Sequence, residues 1–101
     1  DSGLILPIEK KDNFHSYYLY VVRNENRDKI IENLKKNDIN VNISYPWPIH
    51  TMPPFKNCFY NDLKNTEKLS KEIFSLPMYP KLEESQIQKT IEILKKSINL
   101  K

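Results

Sequence analysis

Apolar positions along this sequence switch between strand-like and helix-like spacing, and the switches mark out its elements. Leu4-Ile5-Leu6 is a short apolar run stopped by Pro7, followed by a charged stretch from Glu9 to Asn13. Phe14 to Val22 is aromatic and β-branched with both alternating faces apolar, which predicts a strand covered on both sides. Ile30, Ile31 and Leu34 then recur at helical spacing through Lys36. Asn24 and Asn26 are candidate N-caps for that helix, and Asn37-Asp38 is its stop. Ile39, Val41 and Ile43 alternate with Asn40, Asn42 and Ser44, predicting a second, half-buried strand.

The stretch from Tyr45 to Phe55 breaks the pattern. Pro46, Pro48, Pro53 and Pro54 exclude both a helix and a central strand there. A short helix is predicted over Thr66 to Phe74, capped by Asn65 or Thr66, with Leu69 and Ile73 on one face. Ser75 to Pro80 reads as a short extended segment, an edge strand at best because of Pro77. Glu83 to Ile98 closes the chain as a helix with Ile87, Ile91, Leu94 and Ile98 on one stripe. Its Lys95-Lys96 end complements the helix dipole. The order predicts an α+β fold: a small, mostly antiparallel sheet of about three strands with helices on one face.

Length and composition narrow the classes. The 101 residues are enough for a single domain over 1–101 and too few for two independent cores. A 39% hydrophobic content argues against disorder, and no apolar run reaches a membrane span's length. Without a signal-peptide pattern, the expectation is a cytoplasmic chain with no membrane partner. Cys58 is the single cysteine, which excludes an internal disulfide and a thiolate zinc site. The net charge is +3, but Arg23 and Arg27 are the only arginines among sixteen cations. Nucleic-acid recognition leans on Arg, so no nucleic-acid partner is expected. The single Gly disfavours a self-contained phosphate-binding turn, and no Gly-x-Ser-x-Gly context supports a hydrolase triad. His15, His50 and Cys58 have no metal-ligand spacing. The Tyr17, Tyr18 and Tyr20 cluster lacks the Gly-flanked signature of a base-stacking sheet.

The chemistry left over is in the proline loop. Its prolines preset the backbone, so a ligand would cost little ordering there, and Tyr45 and Trp47 carry flat rings beside the polar His50. Those rings either stack on a base or sugar or pack under the loop, and His50 is either a ligand contact or a surface residue.

An ordered set of motifs then resembles the C-terminal domain of the DegT-type nucleotide-sugar aminotransferases. His15-Ser16-Tyr17-Tyr18-Leu19-Tyr20-Val21 looks like the family's His-x-Tyr-x-x-Tyr-x-Val strand. Arg27-Asp28 stands before a helix, Tyr45 to His50 matches Tyr-Pro-x-Pro-x-His, and Glu67 to Pro80 matches a helix running into Ser-Leu-Pro-Met-x-Pro. The match covers about Leu6 to Leu94. Ser44 stands where the family often has His, and Met52 where it usually has Gln.

The resemblance implies the small C-terminal domain of an aspartate-aminotransferase-fold enzyme that moves an amino group, usually from glutamate, to a keto-sugar nucleotide. Such enzymes serve cell-surface polysaccharide or amino-sugar biosynthesis. The cofactor would be pyridoxal 5'-phosphate (PLP). The large domain carrying its Schiff-base Lys would be the chain's partner within a homodimer. None of the Lys here matches that Lys motif, so this chain alone is expected to bind no PLP and to be inactive. His50, Tyr45 and Trp47 are the implied substrate-binding residues. A stand-alone, non-catalytic interaction module that kept the fold is the alternative.

Overall fold

The β-branched and aromatic runs Tyr20-Val21-Val22 and Ile73-Phe74 pair with one another across fifty residues of sequence. In the computed structural model, which describes residues 3–58 and 61–99, β1 (Tyr20–Arg23) and β2 (Ile73–Leu76) form a two-stranded antiparallel sheet. Tyr20 stands opposite Leu76, Val22 opposite Phe74 and Arg23 opposite Ile73. Because side chains alternate across a strand, Val22 and Phe74 share one face, and both are fully buried. α1 (Arg27–Lys36) and α3 (Glu84–Asn99) pack together over that face, and α2 (Lys64–Glu72) leads directly into β2. Ile30 and Leu34 from α1, Ile39 after it and Leu94 from α3 complete the core with Val22 and Phe74. The α+β class read from the sequence stands.

The sheet is smaller than expected. Two strands form rather than about three, flanked by single bridges: Ile5 with Arg23 on one side, Asn42 with Ser75 on the other. The predicted strand over 39–44 is thus reduced to the mutual backbone bonds of Asn42 and Ser75, at 3.2 and 2.7 Å. Pro46 and Pro48 lie just beyond and withhold further donors. The strand predicted over Phe14 to Val22 begins only at Tyr20. Tyr17 takes a left-handed backbone (φ 47), its N–H donates to His15 Nδ1, and His15 N–H donates to Glu9. Those local bonds replace a ladder, and Phe14 and Tyr18 stay 92% and 84% exposed rather than covered.

The helix ends depart from their sequence signals in two places. α2 starts at Lys64 with no side-chain cap, so neither Asn65 nor Thr66 caps it, and it stops at Glu72 because Ile73 and Phe74 enter β2. Asn24, not Asn26, does the polar work before α1: its Oδ1 accepts from Asn26 N–H and its Nδ2 donates to Gly3 C=O, both at 2.8 Å. At the far end Asp38 (φ 61) donates to Lys35 C=O and Ile39 to Leu34 C=O. This pair of bonds is a Schellman closure with Asp in the left-handed position and buried Ile39 as its hydrophobic contact. On α3, Leu94 and Ser97 are buried, with Ser97 Oγ accepting from Asn33 Nδ2 and donating to Ile93 C=O. Ile87 and Ile91, the N-terminal half of the predicted stripe, instead line an open apolar groove of about 500 Å³ with Leu6, Tyr20 and Met78.

Candidate functional site

The proline loop is built from short-range constraints. Pro48 and Met52 are extended (ψ 140), and each precedes a single 3₁₀ turn, Ile49–Thr51 and Pro53–Phe55. Thr51 N–H and Oγ1–H both donate to Pro48 C=O, at 2.9 and 2.7 Å. Met52 N–H closes on Ile49, Phe55 N–H on Met52 and Cys58 N–H on Phe55. With the prolines fixing φ and these bonds closing each turn, the loop holds its shape without joining the sheet.

That shape sorts its side chains. Tyr45 and Trp47 are open, Trp47 at 68% exposure, with Ile49 beside them in sequence and equally exposed. The His50 side chain is turned inward at 7% exposure, and its Nε2 lies 2.9 Å from Glu67 Oε1 on the first turn of α2. The three residues singled out from the sequence therefore share one loop but not one orientation: two rings face outward and the imidazole faces α2. Ser44 Oγ accepts from Asn42 Nδ2 at the loop's entry. His15 lies in the separate exposed segment before β1, its ring 4.1 Å from that of Tyr17. Among the described residues no three His, Cys, Asp or Glu side chains come together as a metal site.

Two residues that the sequence offered only as parts of family motifs organise this region through contacts no motif announced. Glu67 pairs with His50 across seventeen positions, a separation no local pattern announces. It also borders a charged cleft with Glu25, Lys64, Lys68, Lys71 and Glu72. Arg27 packs its guanidinium against the end of α2, donating from Nη1 to Ser70 C=O, while Nε donates to Asp28 at 2.8 Å. Ser70 is among the last residues of α2, where carbonyls lack intrahelical donors, so Arg27 caps that end with a charge-assisted bond. Arg23 Nη2 also donates to Glu72 at 2.8 Å. α2 is thus fixed to the strand–helix junction at one end and to the proline loop at the other. The Arg27-Asp28 signature has a structural reason.

The apolar groove does not offer a PLP site. The apolar groove has one amine on its wall, Lys95, and otherwise only Tyr20 and Thr90 as polar side chains, so nothing there would hold a phosphate. Lys36, Lys64 and Lys68 pair with carboxylates at the surface. No helix is long and apolar enough to cross a membrane among the described residues.

Comparison with known proteins gives the arrangement a lineage. The model of the DegT/DnrJ/EryC1/StrS aminotransferase family matches residues 2–95. The dTDP-3-amino-3,4,6-trideoxy-alpha-D-glucose transaminase of Micromonospora megalomicea is 46% identical over 95% of this chain, which spans 26% of that protein. A pleiotropic regulatory protein of Geobacillus stearothermophilus is 35% identical over 88% of the chain and 24% of its own length. Among solved structures, DesV of S. venezuelae in complex with a ketimine intermediate superposes with a TM-score of 0.88 at 27% identity. That match covers 96% of this chain and 27% of DesV. The chain therefore spans about a quarter of the length of the relatives it matches. On these grounds it belongs to the DegT/DnrJ/EryC1/StrS aminotransferase family.

Proposed function

We propose that this chain is the small C-terminal domain of a PLP-dependent aminotransferase acting on keto-sugar nucleotides, and that its proline loop covers the substrate cleft. The observation that carries the reading is the 46% identity to a dTDP-sugar transaminase across almost the whole chain, over only a quarter of that enzyme. PLP is then held by the remaining three quarters, since none of this chain's Lys matches the family's Schiff-base Lys motif. Amino-group chemistry from glutamate belongs to that larger part. This domain contributes selection of the sugar nucleotide and support of a homodimer. Tyr45 and Trp47 offer open rings for a base or sugar face, and His50 is the loop's polar group.

The test is a graft. Residues 1–101 replace the matching segment of the Micromonospora transaminase, and amino transfer to a dTDP-keto-sugar is followed. A folded, PLP-loaded chimera that aminates a keto-sugar nucleotide supports the reading. One that folds and loads PLP but aminates no such substrate contradicts it. A non-catalytic interaction module is the second reading, favoured by the exposed Phe14, Tyr18 and Trp47 and by the likeness to a regulatory protein. It predicts the inactive outcome.

A further inference from the structure

We infer that Glu67 is a positioning residue for the proline loop. It acts through His50 to hold the Tyr45 and Trp47 rings where a sugar nucleotide meets them. The inference rests on the substrate-facing reading of the loop. A carboxylate has only acceptors, so the 2.9 Å contact calls for a hydrogen on His50 Nε2, donated to Glu67 Oε1. That bond ties the first 3₁₀ turn of the loop, Ile49–Thr51, to the first turn of α2. α2 is in turn fixed by Arg27 at Ser70 and by Arg23 at Glu72. Glu67 thus joins a segment that, among its described residues, has no ladder bonds between Asn42 and Lys64 to the rigid part of the fold. Trp47 lies three residues before His50, on the arm that this tie steadies.

Trp47 is the only tryptophan and His50 one of two histidines, so the 101-residue chain carries its own probes. Time-resolved anisotropy of Trp47 and long-range ¹H–¹⁵N NMR of the His50 ring are measured in the wild type, Glu67→Gln and Glu67→Ala. Circular dichroism monitors α2. The wild type should show the Nε2–H tautomer and little fast depolarisation. Glu67→Ala should mix the tautomers and enlarge the fast Trp47 component at unchanged helix content. Glu67→Gln, which keeps a hydrogen-bonding oxygen and stands in if the Ala variant fails to fold, should lie between. In the grafted enzyme Glu67→Ala should raise KM for the sugar nucleotide by about two- to fivefold, the lower part of the range for one hydrogen bond. The glutamate half-reaction should hold. Lys71→Ala, on the same helix, should leave Trp47 motion unchanged.

Unchanged Trp47 motion and tautomer in both Glu67 variants would overturn the proposal, as would equal loosening by Lys71→Ala. A looser Trp47 with unchanged sugar-nucleotide KM would leave the tie standing and overturn the substrate-facing reading on which it rests.

Discussion

Arg27 shows how much one side chain decides here. Its guanidinium is mostly buried and bonds the end of α2, work that a Lys ammonium, with no planar fork, cannot reproduce. Arg27→Lys should therefore destabilise the chain by about 1–3 kcal/mol, the cost of leaving buried polar groups unpaired. Urea denaturation would check it, and a change under about 0.5 kcal/mol, the range of an ordinary surface substitution, would contradict the capping role. The exposed pair of Glu32 and Lys36 is the opposite case. Its hydrogen bond and charge hold the Glu32 carboxyl below its usual value. A lowered folded-state pKa means stability that is present above the unfolded carboxyl's pKa and lost as pH falls through the folded one. At full exposure that contribution is small, so Glu32→Gln should alter the acid limb of a stability–pH curve only slightly. A large change in that limb would contradict this assignment.

At the scale of elements, termini and stripes can be weighed separately. Asp38 occupies the left-handed position of the α1 closure, where glycine carries no Cβ penalty. Asp38→Gly should stabilise by about 0.5–1 kcal/mol, the left-handed penalty less glycine's entropy cost, and a destabilised melt would contradict the Schellman assignment. On α3, Leu94 is 5% exposed and Ile91 is 37% exposed. Leu94→Ala should cost about 2–5 kcal/mol, and Ile91→Ala distinctly less in the isolated chain, by thermal or urea unfolding. Equal costs would mean the groove is closed in solution. The helices were legible from their apolar spacing, but the ends of α2 were not: its predicted cap does not form, and its last two predicted residues gave way to β2. The strands were less legible. Phe14 to Tyr18 has strand composition but pairs with no strand among the described residues. Ile39 to Ser44 has the right alternation but meets β2 at Asn42 alone. Pairing is non-local, and propensity cannot report whether an edge is there to receive it.

Among the described residues there is more open aromatic surface than a core of six buried hydrophobic residues leads one to expect, with Phe14, Tyr18, Tyr45 and Trp47 all exposed. On the proposed reading, the rest of an enzyme about four times this length would cover part of that surface. The candidate loop was legible from its prolines and rings, because those residues act locally. Its inward turn at His50 and the partner Glu67 were not, because they depend on where α2 comes to rest. A titration of this chain with PLP should show at most slow, nonspecific Lys adducts, and a stoichiometric complex at a single Lys would contradict the assignment of PLP to the larger part. The most direct measurement of the central claim is His50→Ala in the grafted two-domain enzyme, with the two half-reactions followed separately. Loss of one hydrogen bond of about 0.5–1.5 kcal/mol predicts a roughly two- to tenfold fall in kcat/KM for the sugar nucleotide. PLP absorbance and the glutamate half-reaction should stay unchanged. If both half-reactions fall together, or neither moves, the loop does not face the sugar nucleotide.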